Sequence, residues 1–410
     1  MNYILVSVTE KENKVAIVEN DRLVEFYIDK KDKEKIVGNI YRGRIVNVLP
    51  GMEAAFVDIG IDKNAYLYIK DALPREMMRE KKDVTISDVA KVGQEIIVQV
   101  VKEAFGNKGP KVTTHITLPG RFVVFTPYSS CIGMSRRITD KNEIDRLKNI
   151  VDEIQNEDMG MIVRTAAAGV DNESIQEDFN MLVEMYKKIE REKNFSPCPK
   201  LIYKELDLVE QIVRDVFTDR IDKLVVDDEE CYEGIISLLK LTSSKLVDKV
   251  FLTHKDIFSS FNIAKDIKSA IERVVPLKSG GYIAIDETEA LTSIDVNTGK
   301  YIGYINLEDT VVKTNIEAAE EIARQLRLRD IGGIIIIDFI DMVRKEDIEL
   351  VLEKLDEFLK KDRTKTNIID ITKLGLVELT RKKTRNRLAS KILKNCPYCE
   401  GKGKILIDEC

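Results

Sequence analysis

From residue 1 to about residue 34, the segments YILVSVT, KVAIVEN and LVEFYID alternate apolar and polar positions and break at charged or polar turns. That period of two predicts consecutive antiparallel strands. From Gly38 the texture changes. NIYRGRIVNVLPGMEAAFVDIGIDKNAYLYIKD and, after a polar stretch near 71–90, VGQEIIVQVVKE are short strand-like runs interrupted by glycines, as in a small β-barrel. Between Arg121 and Pro199, FVVFTP and GMIVRTA read as strands, whereas EIDRLKNIVDEIQ and NESIQEDFNMLVEMYKKIEREK carry the helical period. Helix dominates from Leu201 to about Val275, with KLVVDD and KVFLTH as short strands. GYIAIDETEALTSIDVNTG predicts a hairpin turning at DETEA. NLEDTVVKTNIEAAEEIARQLRLRDIGG predicts a long helix stopped by its paired glycines, and IIIIDFID the strand after it. Four consecutive isoleucines suit a strand covered on both faces of its sheet. ELTRKKTRNRLASK is expected to be a basic helix running into CPYCEGKG.

The strand–helix–strand order over 291–338 implies a right-handed crossover with two parallel strands in one sheet. Asp295 lies near the C-terminal end of the first strand and Asp338 at that of the second. Neighbouring strands lie ~4.8 Å apart, so both carboxylates would face one crevice at the carboxyl edge of the sheet. The period of two puts Asn297 on the same face as Asp295. Two acids and an amide make a hard oxygen site suited to a magnesium ion that keeps several waters. The competing reading is that the acids are independent strand ends. Asp341 reads as a cap for a following helix, the alternative being a residue that supports the metal ligands.

Composition narrows the classes. The chain has 410 residues, enough for about two to four domains. It is 44% hydrophobic and 33% charged, with a formal net charge of −6, so no global basic signature marks a polyanion binder. Any such site must come from local clustering or a metal. No apolar run reaches the ~18 residues of a membrane span, and the N-terminus has no signal-peptide pattern, which leads to a cytoplasmic expectation. Only two histidines occur, His115 and His254, so a carboxylate or metal mechanism is favoured over a histidine base. No Walker loop, dinucleotide fingerprint or GxSxG elbow is present. Of six cysteines, Cys396 and Cys399 form the one close pair, C-P-Y-C-x-G-x-G. Structural zinc takes four ligands. An identical pair from a second copy completes that shell most simply, unless Cys410 or a distant residue folds in; two free thiols are the bland alternative. In AAFVDIG and KNAYLYI, Phe56, Tyr66 and Tyr68 fall opposite smaller apolar residues. They are either stacking platforms for bases or barrel core. Arg164 and Thr165 close the strand GMIVRTA. They suit a terminal phosphate, although a surface arginine at a strand end is commonplace.

LTSIDVNTGKY, TNIEAAEEIARQLRLRDIGGIIIIDFIDM and CPYCEGKG, with EAAFVDIG, GNKG, SRRI and IVRTA, together resemble the endoribonuclease E/G family over nearly the whole chain. The resemblance implies a magnesium-dependent endoribonuclease that cuts single-stranded A/U-rich RNA, prefers 5′-monophosphorylated ends, and works in rRNA and tRNA processing and mRNA decay. It implies an α/β and β multidomain architecture. An RNase H-like subdomain (1–35 joined to 204–271) would carry an inserted OB-fold RNA-binding barrel (36–118) and a 5′-sensor region (119–203). A DNase I-like catalytic subdomain (272–391) and a zinc-link (392–410) would follow. At matching positions, Asp295 and Asp338 would hold Mg²⁺, with Asn297 orienting Asp295 or the scissile phosphate. Phe56, Tyr66 and Lys108 would contact RNA, and Val124, Arg136, Arg164 and Thr165 would form the 5′-monophosphate sensor. Cys396 and Cys399 would share Zn²⁺ across a homodimer. The match is to compact, ribonuclease G-like members, without the small C-terminal domain or arginine-rich tail of longer ones, so a tetramer is not implied. The rival reading is a non-catalytic dimeric RNA-binding protein.

Overall fold

The computed structural model describes residues 1–31, 35–73, 84–104, 108–127, 132–154, 159–195, 197–299, 307–399 and 403. The chain is mixed α/β. Its described residues form two units, Met1–Lys31 with Asp219–Glu233 and Asp248–Cys410, and Asp32–Thr218 with Gly234–Val247.

In the second unit, Ile40–Leu49 pairs with Ala54–Asp58 on one side and Glu95–Lys102 on the other. Ala54–Asp58 continues to Ala65–Tyr68, which runs parallel to Lys111–Thr113. That strand pairs back to Glu95–Lys102 and closes a five-stranded barrel, consistent with an OB-fold. Alternation drives the closure: Ile45, Ala55, Val57, Ala65, Leu67, Val98 and Val112 point inward and are buried. A separate sheet of Leu118–Pro119, Val123–Pro127, Met159–Val163 and Ile132–Met134 packs on helices Lys141–Ile154 and Asn172–Phe195 through Phe125, Met161, Leu147 and Phe179.

In the first unit, Tyr3–Val8, Glu12–Glu19 and Arg22–Lys30 form an antiparallel meander, and Lys223–Val226 and Val250–Leu252 extend it in parallel. The other sheet runs in the order Val274–Pro276, Tyr282–Glu287, Leu291–Asn297, Gly333–Asp338, Val377–Arg381, Thr366–Ile371. Only Leu291–Asn297 and Gly333–Asp338 pair in parallel within it, among the described residues. Helices Leu307–Leu328 and Lys345–Leu359 cover one face, where Ile283, Ile294, Ile335, Ile337 and Leu379 meet Ile322, Leu326, Val351 and Leu355. Charged side chains fasten the long helix to the meander. Arg327 binds Glu19 at 2.6 Å and Glu25 at 2.8 Å, Arg22 binds Glu321 at 2.6 Å, and Arg324 donates to the Leu23 carbonyl at 2.6 Å. Glu25, itself buried, also accepts from Arg363 and the Tyr27 hydroxyl.

Four expectations change. The isoleucine strand is covered on one face only among the described residues: Ile335 and Ile337 are buried, but Ile334 is 51% exposed. The long helix ends at Leu328, and Asp330 just past it takes the left-handed conformation at φ 50°. The glycines after it serve close approach instead, since a Cβ on Gly332 would lie 3.0 Å from the Lys383 Cα. Asp341 is not a cap: the next helix begins at Lys345 with Arg344 at the capping position. The basic segment is not one helix. VELTR forms a strand with Val377, Leu379 and Arg381 inward, and helix is confined to Leu388–Ile392. Arg381 tolerates burial because Asp362 and Asp330 receive its guanidinium at 2.6 and 2.7 Å. No described helix is long and apolar enough to cross a membrane.

Candidate active site

Asp295 and Asp338 are register partners on adjacent parallel strands. Residues so paired project from the same face, here the face that the two helices leave open. Both carboxylates are exposed. Asn297, two residues on and on the same face, donates its amide to Asp295 Oδ2 at 2.6 Å. On the other side of Asp295, the register partner is Ala284, whose small side chain crowds nothing. The Asp338 carboxylate makes no hydrogen bond or ion pair with any described residue. Arg273 lies near enough to feel the Asp295 charge, yet its guanidinium is taken by Asp286 at 2.6 and 2.7 Å.

The long helix holds the strand ends. Asn315, fully buried, donates to the Ile340 carbonyl at 2.8 Å and accepts from the Ile340 N–H at 3.1 Å, which fixes the chain just past Asp338. Glu317 accepts from the backbone N–H groups of Lys278 and Ser279 and so anchors the loop leading into Tyr282–Glu287. Neither residue was visible as functional in the sequence, because each acts on backbone far along the chain.

No group of three or more His, Cys, Asp or Glu side chains able to hold a metal occurs among the described residues. The pair with its amide therefore does not make an all-protein cage. Two carboxylates without a competing cation on Asp338 fit a hard divalent ion that keeps most of its waters.

On the barrel, Phe56 and Tyr66 are cross-strand partners, half-exposed on the outer face, with ring centroids 6.1 Å apart at 68°. Their chain neighbours Ala55, Val57, Ala65 and Leu67 fill the interior. The Tyr66 N–H donates to the Pro110 carbonyl at 2.7 Å, bringing the loop of exposed Lys108 alongside. In the neighbouring sheet, the Arg164 N–H bonds the Phe122 carbonyl at 2.8 Å, two residues before half-buried Val124. Thr165 Oγ1 lies 2.7 Å from Ser135 Oγ, which draws the turn bearing exposed Arg136 to the same edge. Arg164 is paired with Asp215, a partner the sequence did not reveal.

Cys396 is exposed and Cys399 half-buried. Backbone N–H groups of Cys399 and Tyr398 lower the Cys396 thiol below its usual range, and the Gly403 N–H donates to Cys399 Sγ at 3.3 Å. Amides aimed at sulfur favour thiolates, the form that binds zinc. Two sulfurs fill half of a tetrahedral shell. Cys410 lies outside the described residues.

An acid pair at a sheet's open face, a barrel with outward rings and a close cysteine pair are the parts expected of a hydrolase that handles nucleic acid. Residues 117–384 match the Ribonuclease E/G family, and the chain belongs to that family. It is 43% identical to ribonuclease G of Salmonella typhimurium over 410 residues, covering 98% of this chain and 84% of that protein. It is 42% identical to ribonuclease G of Escherichia coli over the same shares, and 37% identical to ribonuclease E of Nostoc sp. over 402 residues, covering 97% of this chain but 58% of that protein. As a member it is an endoribonuclease acting on RNA in its processing, and the family is generally metal-dependent.

Proposed function

We propose that the chain hydrolyses single-stranded, A/U-rich RNA with Mg²⁺, prefers 5′-monophosphorylated ends, and serves rRNA and tRNA processing and mRNA decay in the cytoplasm. The register pairing of Asp295 with Asp338 carries this reading. These two carboxylates would hold the Mg²⁺. When bound, such an ion lowers the pKa of a water and neutralises charge on a phosphodiester. Asn297 holds Asp295 in one orientation. Phe56 and Tyr66 would stack bases while Lys108 meets the backbone, and Arg136, Arg164, Thr165 and Val124 would receive the terminal phosphate.

The meander with Lys223–Val226 and Val250–Leu252 is read as the RNase H-like subdomain, and the sheet carrying Asp295 as the DNase I-like one, within the boundaries given above. Cys396 and Cys399 of two copies would close one zinc site, so the protein would be a homodimer.

The test is cleavage of a 5′-monophosphorylated A/U-rich oligonucleotide with Mg²⁺ by wild type, Asp295→Asn and Asp338→Asn. Loss in both variants with RNA binding retained supports the assignment. Full activity in either removes that residue from the metal site.

A further inference from the structure

Arg164 does not stand free at the end of its strand. Its Nη1 donates to Asp215 Oδ1 at 2.7 Å and to the Gly120 carbonyl. Its Nε and Nη2 make no hydrogen bond with any described residue. Both acceptors are themselves held. Asp215 ends the helix Leu208–Asp215 and receives Arg214 Nε on Oδ1 at 3.0 Å and Arg214 Nη2 on Oδ2 at 3.4 Å. Arg214 is tied further to the Pro119 carbonyl at 3.1 Å and to Glu205 Oε1 at 3.2 Å. The Glu205 N–H is bound by Asn39 Oδ1 at 2.9 Å. Beyond Gly120, the buried Asp178 carboxylate accepts the N–H groups of Arg121, Phe122 and Val123 at 3.0, 2.8 and 3.1 Å, which immobilises that backbone.

An aspartate at a helix C-terminus opposes the helix dipole, so helix stability does not account for Asp215. Burial pushes its carboxyl up, but the bonds from Arg214 and then Arg164 outweigh this and hold it below its usual range, so it stays ionised. Arg214, which Glu205 shares, offsets part of the Asp215 charge while Asp215 grips Arg164. One side of the guanidinium is thus fastened, and the Nε–Nη2 edge is left in a set direction. That edge is the fork that suits two phosphate oxygens.

We propose that Asp215, braced by Arg214, is a positioning residue for recognition of the RNA 5′ end: it orients Arg164 so that its unused edge meets a terminal phosphate dianion. This rests on the reading of Arg164 as the 5′-phosphate contact. The experiment compares one A/U-rich oligonucleotide bearing a 5′-monophosphate or a 5′-hydroxyl, cut by wild type, Arg164→Ala, Asp215→Asn and Arg214→Lys. For Asp215→Asn, the ratio of kcat/KM between the two ends should fall about tenfold, the scale of one lost charge-assisted bond, through KM of the monophosphorylated form. Arg214→Lys, which loosens the brace but leaves Asp215 in place, should give a smaller fall in the same direction. A uniform loss on both substrates with the ratio preserved means a purely structural role and overturns the proposal. No end preference in wild type, or preference retained in Arg164→Ala, overturns the sensor reading itself, and the two failures are thereby told apart.

Discussion

Replacing Glu25 with glutamine tests how the long helix is held against the meander. Glu25 is 4% exposed and accepts from Arg327 Nε at 3.1 Å and Nη2 at 2.8 Å, as well as from Arg363 and Tyr27. Burial pushes its carboxyl up, but Arg363, Arg327 and Tyr27 together bring it from 4.5 down to about 2. At ~1.36 kcal/mol per pH unit, that displacement corresponds to about 3 kcal/mol of stability. Because the folded pKa is depressed, the contribution is complete above pH 4.5 and disappears as pH falls through about 2. Glu25→Gln keeps the shape but leaves two arginines short of an anion, and breaking a buried pair from one side costs roughly 3–5 kcal/mol. Glu19, still bound to Arg327 at 2.6 Å, places the expectation at the lower end. Urea unfolding of both proteins at pH 7 should show a gap of about 3 kcal/mol, narrowing as pH drops from 4.5 toward 2. A gap below about 1 kcal/mol, or one that stays constant with pH, would refute the ionic account.

Three further outcomes are expected. Asn297→Ala frees Asp295 from its 2.6 Å tether, so cleavage should fall about 10–100-fold and require more Mg²⁺, read from rate against metal concentration; an unchanged metal dependence denies Asn297 that role. Phe56→Ala should weaken binding of a short single-stranded oligonucleotide by about 1–3 kcal/mol in fluorescence anisotropy, and equal affinity would mean that its ring stacks on nothing. Cys396→Ser should abolish bound zinc and shift the sedimentation coefficient from dimer to monomer, whereas one zinc per chain in wild type contradicts a shared site.

The acid pair was legible because Asp338 closes an apolar strand, Asp295 lies near the end of another, and a helix of strong period lies between them. Asn297 followed from the period of two. The later strands were not. In VELTR a charged residue, Arg381, points inward, which breaks the hydrophobic pattern, and its compensating acids lie 19 and 51 residues away. Thr366–Ile371 sits at the sheet edge with Ile369 58% exposed, so burial imposes little alternation on it. The open face beside the isoleucines was misread for a related reason. A continuous apolar run states how hydrophobic a strand is, not how many layers cover it. Asp215 and Asn315 were invisible because their partners lie 51 and 25 residues distant, and a single sequence carries no signal of such pairing.

The proposed convergence of Asp295 and Asp338 on one cation is tested most directly by electron paramagnetic resonance of Mn²⁺ titrated into the protein, with Mg²⁺ as competitor. Wild type should hold a Mn²⁺ that Mg²⁺ displaces, and Asp295→Asn and Asp338→Asn should each lose that same ion while still binding RNA. Retention of the wild-type complement of displaceable Mn²⁺ in both variants would contradict the account.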